Sequence, residues 1–102
     1  MAKVNWTFQA LEDLDEIAGY QAQFSEKFAG FLVDEILENV EQLALFPFLG
    51  RKVPEVNIPS IREMIIRKYR VIYSVPDSSQ VFILTIRSTS LPFSSSIFEK
   101  GD

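Results

Sequence analysis

Residues 63–75 read EMIIRKYRVIYSV. As a single strand the stretch would be long, since strands usually run about five or six residues. Arg67-Lys68 also places two charges at its middle. It therefore reads as two strands, about 62–67 and 69–75, joined by a tight turn. Pro76-Asp77-Ser78-Ser79 supplies the next turn, because these residue types favour turn conformations. QVFILTIRS, residues 80–88, is nearly continuously apolar, as a central or covered strand is. The second half of the chain is thus a meander of three antiparallel strands.

Upstream of the meander the hydrophobic period changes from two to 3.6. Ala29, Leu32, Val33, Ile36, Leu37, Val40, Leu43 and Ala44 form one stripe of a helix, with Lys27, Asp34, Glu38 and Glu41 opposite. Ser25 is its natural N-cap, and Pro47 is its stop. A shorter helix precedes it. Ala10, Leu11, Leu14, Ile17, Ala18 and Gln21 share one face, and Glu12, Asp15, Glu16 and Gly19 share the other. So few residues join the two that they should form an antiparallel hairpin. At the start, Val4, Trp6 and Phe8 alternate with Lys3, Asn5 and Thr7, the pattern of a half-buried strand. The segment FPFLGRKVPE, residues 46–55, links the halves, and with Pro54 and Pro59 the chain to residue 61 reads as an extended loop.

The expected architecture is α+β, an N-terminal strand and a helical hairpin packed on a mainly antiparallel sheet of three to four strands. At 102 residues the chain is read as one domain, residues 1–102, with 89–102 a serine-rich, loosely packed tail. It holds no cysteine and no histidine, which removes disulfides, thiolate chemistry, zinc clusters and any Ser-His triad. Neither a cofactor nor a metal is expected. No apolar run reaches the roughly 20 residues of a membrane span, and the N-terminus has no apolar signal core. The expectation is a cytoplasmic protein with no membrane partner.

The net charge of −4 is unevenly spread. Residues 1–50 hold two cations and nine acids, −7, whereas residues 51–102 hold eight cations and five acids, +3. This split points to two faces with different partners. The plainer reading is that helices carry Glu and Asp on solvated surfaces. Arg51, Lys52, Arg62, Arg67, Lys68, Arg70 and Arg87 all fall on the hinge or meander, with Tyr69 and Tyr73 among them. Cations with aromatics on a sheet can hold a phosphate backbone, or the acidic segment of a protein partner. The carboxylates of Asp13, Asp15, Asp34 and Glu38 read as helix solvation. Glu63 is the acid inside the basic strand region, a general base or, more simply, half of a local ion pair. Phe31 falls on the polar side of the second helix with Phe24 and Phe28 beside it. Either the Phe93–Phe98 tail covers them, or they line a groove for a partner.

Four motifs in order resemble the ParE/RelE superfamily of bacterial toxins over residues 3–88. They are Trp6-Thr7-x-x-Ala10-x-x-Asp13-Leu14, then Leu43-x-x-Phe46-Pro47, then Gly50-Arg51-x-Val53-Pro54-Glu55. The fourth and most specific is Arg62-Glu63 followed by Tyr69-Arg70-Val71-Ile72-Tyr73. The likeness is strongest to the ParE branch, the plasmid-stabilisation type. It implies the toxin of a type II toxin-antitoxin system, neutralised by a cognate antitoxin whose C-terminal segment wraps it. ParE-like members act on DNA gyrase without known catalytic residues, while RelE-like members cut messenger RNA on the ribosome. No sequence-specific DNA binding by the toxin alone is implied. Gly50 and Arg51 match the family's hinge, where Gly50 is expected to take a positive φ and the cations to face the helix C-terminus.

After the last strand, where many relatives carry a histidine or lysine and further arginines, this chain reads Arg87-Ser88-Thr89-Ser90-Leu91-Pro92. RNA cleavage through the 2′-hydroxyl needs a base, an acid and a cation for the phosphorane. Only Glu63, Lys68 and the arginines are left to supply them, so binding is favoured over cleavage. The alternatives are a RelE-like ribosome-dependent endoribonuclease and a decayed toxin that only binds its antitoxin. The residues expected to contact target or antitoxin are Arg51, Arg62, Glu63, Tyr69, Arg70 and Arg87 on the sheet side, and Phe24, Phe28 and Phe31 on the hairpin. None is assigned a catalytic role.

Overall fold

A computed structural model describes residues 1–91. They form β1 (Lys3–Trp6), α1 (Phe8–Ala22), α2 (Glu26–Glu41), a 3-10 turn (Gln42–Ala44), β2 (Arg51–Lys52), β3 (Ile61–Ile66), β4 (Tyr69–Asp77) and β5 (Gln80–Ser88). The strands make one sheet in the order β1-β5-β4-β3-β2. Every pairing is antiparallel except that of β1 with β5. The strand, hairpin and meander expected from the sequence are all present. The strand count is five rather than three or four, because Arg51 and Lys52 pair with Glu63 and Arg62. A strand of two residues carries no periodicity by which to be seen.

Local chemistry sets the helix ends. Thr7 Oγ1 accepts the Ala10 N–H at 3.2 Å, so α1 begins at Phe8, earlier than its apolar stripe. Ser25 Oγ accepts the Phe28 N–H at 3.0 Å and caps α2 as expected. Only residues 23–25 lie between the helices. α2 tightens into the 3-10 turn after Glu41, so the chain has left the α-helix before it reaches Pro47. Leu32, Ile36, Val40 and Leu43 from this element, with Ala10 from α1, bury against Val71, Tyr73, Val75, Val81, Ile83 and Ile86 of the sheet. Leu11 and Leu37, expected in the same stripes, are exposed.

The far face of the sheet, expected to meet solvent or a partner, is partly covered by the chain itself. Val53 and Val56 of the loop after β2 fold onto Ile61 and Ile72 to make a second small core, with Leu84 against it. The tail and its proposed cover over the hairpin phenylalanines, Phe93–Phe98, lie outside the described residues.

The turn at Arg67-Lys68 is real, and Arg67 takes φ 56°, a left-handed conformation that favours glycine. Strain of this kind costs of order 1–3 kcal/mol and must be held by surrounding contacts. Arg67 has them: its Nε donates to Glu35 Oε1 at 2.6 Å, across to α2.

β1 accompanies β5 only from Gln80 to Ile83. Beyond that a bulge leaves Leu84 unmatched, since Tyr73 pairs with Ile83 but Ile72 with Thr85. The start of α1 then takes over the edge. Thr7 Oγ1 lies 2.6 Å from the Ile83 carbonyl, and Asp13 Oδ2 accepts from Thr85 Oγ1 at 2.5 Å and the Ile86 N–H at 3.1 Å. Asp13, read as helix solvation, is instead the acceptor that a neighbouring strand would have supplied.

Gly50 corrects a second expectation. Its φ is not positive. Glycine is required there because a Cβ would sit 2.6 Å from the Tyr73 hydroxyl and closer still to the Glu63 carbonyl. The Gly50 N–H donates to that hydroxyl at 2.8 Å. Gly50→Ala should therefore separate β2 from β3 and cost about 1–3 kcal/mol, an overpacking penalty. Thermal unfolding should show it, at about 4–8 °C per kcal/mol for a domain of this size. An unchanged melting temperature would show that β2 is free to move.

Candidate functional site

The residues expected to form one surface divide into three groups, each positioned by different elements. On the far face of the sheet, Glu63 of β3 is fully buried. Its Oε2 accepts from Arg51 Nε at 2.6 Å, and its Oε1 accepts from Arg70 Nε at 2.7 Å. Arg70 also forks onto Glu55, with Nη1 and Nη2 each 2.8 Å from a different oxygen. Two arginines and two glutamates thus cancel in charge and saturate one another, which is what a buried ionic cluster requires. Glu63 is half of an ion pair, as expected, but its partners come from β2 and β4 rather than from neighbouring Arg62.

The fork by Arg70 holds the Glu55 carboxyl well down, at about 2, and both carboxylates hold the Arg70 guanidinium above its ordinary range. Burial raises the Tyr73 hydroxyl, against the lowering effect of the Gly50 N–H. Arg51 keeps much of its side chain in solvent, whereas Arg70 is buried and already engaged. Arg70 therefore does not belong to an open cationic surface. Arg51 and Lys52 do not cap the helix either, since β2 carries them onto the sheet edge. Arg62 turns to the hinge: Nη1 donates to the Gly50 carbonyl at 2.9 Å and the guanidinium lies 5.0 Å from the Phe48 ring centre.

Tyr69 and Arg87 come together in a second place, a groove of about 850 Å³ between α1 and the part of β5 that β1 leaves uncovered. Asp13, Glu16 and Tyr20 form its helical wall. The Tyr69 hydroxyl accepts from Gln21 Nε2 at 2.8 Å, which fastens it to α1.

The third group is on the hairpin. Phe24, Phe28 and Phe31 are 72%, 36% and 57% exposed, and Phe28 and Phe31 line a depression of about 630 Å³ at the start of α2. Tyr20 packs edge-on to Phe24 at 5.4 Å. Arg67, absent from the expected site, reaches from the β3–β4 turn to lie 5.6 Å from both the Phe28 and Phe31 rings. Arg67 reads as a turn residue and Glu55 as part of a motif, but their partners depend on contacts across the fold.

No helix among the described residues is long and apolar enough to cross a membrane, and none of their acidic clusters could hold a metal ion.

A strand, a helical hairpin and an antiparallel meander, with Glu63 held between Arg51 and Arg70, place the chain among small α+β proteins. Comparison places the chain within that class. The profile of the ParE toxin of type II toxin-antitoxin systems, parDE, matches residues 4–91, and the chain belongs to that family. A solved structure described as the chromosomal ParDE toxin-antitoxin system from P. aeruginosa has the same fold. It aligns with a TM-score of 0.72 at 24% identity, over 86% of this chain and 96% of that one. No curated protein matches the chain.

The clamp makes stability depend on acid. Glu55 titrates below its unfolded value, so its contribution is whole above pH about 4.5 and is lost as pH falls towards about 2. Denaturant midpoints of the parent and Glu55→Gln should differ above pH 5 and converge near pH 2. Solvent at the 38% exposed carboxylate will reduce the gap, and salt will narrow it further. Parallel curves down to pH 2 would mean that the fork contributes nothing. Glu63→Ala should cost about 1.5–3 kcal/mol, since it removes the partner of Arg51 and one of the two carboxylates on Arg70 while Glu55 still holds Arg70. Equilibrium unfolding would measure that directly.

Proposed function

We propose that this protein is a ParE-type toxin that acts by binding a cellular protein target rather than by catalysis. DNA gyrase is the candidate target, and a cognate antitoxin holds the toxin inactive. Family membership supports the first part. The observation that carries the binding mechanism is the state of Glu63, with both carboxylate oxygens occupied and no solvent exposure. A general base must reach the proton it removes. Glu63 cannot do so without breaking the clamp.

Antitoxin docking is assigned to the hairpin. Phe24, Phe28 and Phe31 offer an apolar stripe that suits the apolar face of a partner helix. Arg67 and Arg87 flank the path that an extended segment would follow towards the groove beside β5. Fully burying a phenylalanine is worth roughly 1.5–3 kcal/mol, and an exposed ion pair about 0–1 kcal/mol. The phenylalanines should therefore set affinity, and the cations orientation and salt dependence.

Phe31→Ala should weaken antitoxin binding about tenfold, the equivalent of 1.4 kcal/mol, without changing the melting temperature. Calorimetry with the antitoxin encoded beside this gene would measure it, and equal affinity would move the site off the hairpin. For the target, induced expression should arrest growth, and the purified chain should inhibit gyrase supercoiling. Transcripts cut at ribosomal A-site codons would overturn the binding mechanism. Cleavage mapping of the parent decides this more cleanly than Glu63→Ala, whose loss of stability would lower activity whatever the residue's role.

A further inference from the structure

After the 3-10 turn the chain runs Leu45-Phe46-Pro47-Phe48-Leu49. Leu45, Phe46, Phe48 and Leu49 are each between 51% and 62% exposed, a concentration of apolar surface that monomeric proteins seldom leave in water. The loop is not slack. The Phe46 N–H donates to the Gln42 carbonyl at 2.9 Å, and the Leu49 N–H to the Phe46 carbonyl at 3.0 Å. Arg62 braces the far end through the Gly50 carbonyl and the Phe48 ring. The apolar side chains are thus held outward by a fixed backbone, the arrangement that lowers the ordering cost of binding.

Lys52 and Arg62 adjoin the far end of this loop, where Arg51, Glu55, Glu63 and Arg70 pair with one another, and exposed Glu41 precedes its near end. Lys52 and Arg62 make no ion pair among the described residues. The hairpin patch differs, with Glu26, Lys27 and Asp34 mixed along its depression. The two patches also lie at opposite ends of α2, whose length is about 24 Å at 1.5 Å per residue. They are separate in place and in chemistry.

We infer that Leu45–Leu49 and its cations form the surface that engages the toxin's protein target, and that the target offers apolar side chains flanked by carboxylates. The inference rests on the reading that the chain acts by binding a protein. It adds that target and antitoxin occupy different ends of the hairpin, so the antitoxin need not cover this loop.

The test compares the full chain with Phe46→Ser/Leu49→Ser and, separately, Lys52→Glu, each first shown to be folded by its thermal transition. The double variant should lose growth arrest and require at least tenfold more protein to inhibit purified gyrase. Its affinity for the antitoxin should change less than twofold. Lys52→Glu should weaken gyrase inhibition severalfold, with the difference shrinking as salt rises. A folded double variant as toxic as the parent overturns the inference, as does one that loses antitoxin binding instead. A parent dimer that becomes a monomer on substitution would assign the loop to a second copy. Nuclear Overhauser contacts from Phe46 to residues after Leu91 would assign it to the chain's own end, and either result overturns the inference. If the parent arrests growth without affecting gyrase, the gyrase reading fails and growth arrest alone judges the surface. A parent that does not arrest growth sinks both.

Discussion

The carboxylate of Glu63 joins side chains from three neighbouring strands of the sheet, β2, β3 and β4. It lies fully buried on β3, takes Arg51 from β2 on one oxygen and Arg70 from β4 on the other. An unpaired charge at this depth would be costly, so once Glu63 is inside, both arginines are required to come to it. Arg70 then draws in Glu55, and with it the loop whose Val53 and Val56 roof the far face of the sheet. The close approach of Gly50 to β3 follows from the same requirement, since Arg51 reaches Glu63 only if the hinge backbone presses against the strand.

That arrangement also settles how the molecule divides its work. The sheet's cations would form a broad basic face if all were exposed. Instead Arg70 is spent inside, Arg62 is turned to the hinge carbonyls, and Arg67 is drawn across to α2 by Glu35 and two phenylalanine rings. Arg51 and Lys52 stay exposed, and the outward apolar side chains gather in two places, one at the start of α2 and one beyond its end.

The edge of β5 shows how a helix can do the work of a strand. Where β1 stops at Trp6, Thr7 supplies the donor and Asp13 the acceptor that the sheet still needs. The Trp6, Thr7, Ala10, Asp13 and Leu14 pattern has a physical meaning in this fold. Trp6 ends the strand, Thr7 caps the helix and bonds the sheet, Ala10 allows close packing, and Asp13 closes the edge one turn and a half later. Such a pattern is local in sequence, yet each position answers to a different neighbour in space.

By itself the sequence determined every element but the two-residue β2, and their order. The 3.6-residue stripes, the Ser25 cap and the interruption at Arg67-Lys68 are short-range signals, and they placed both helices and the three-strand meander correctly. It also marked Phe31 as anomalous, an aromatic on the polar side of the second helix with Phe24 and Phe28 beside it. Only the tertiary structure decided what the charges do. That Glu63 pairs with Arg51 and Arg70 rather than Arg62 depends on strand register, which no local pattern encodes. That Gly50 is needed for closeness rather than for a positive φ depends on a tyrosine far along the chain. Asp13 looks solvated in any helical projection, and its true partner is the edge of a strand seventy-odd residues later. Periodicity reports which face of an element is apolar; it carries no information about which polar group will be opposite once two faces meet, and that is the information on which this protein's sites depend.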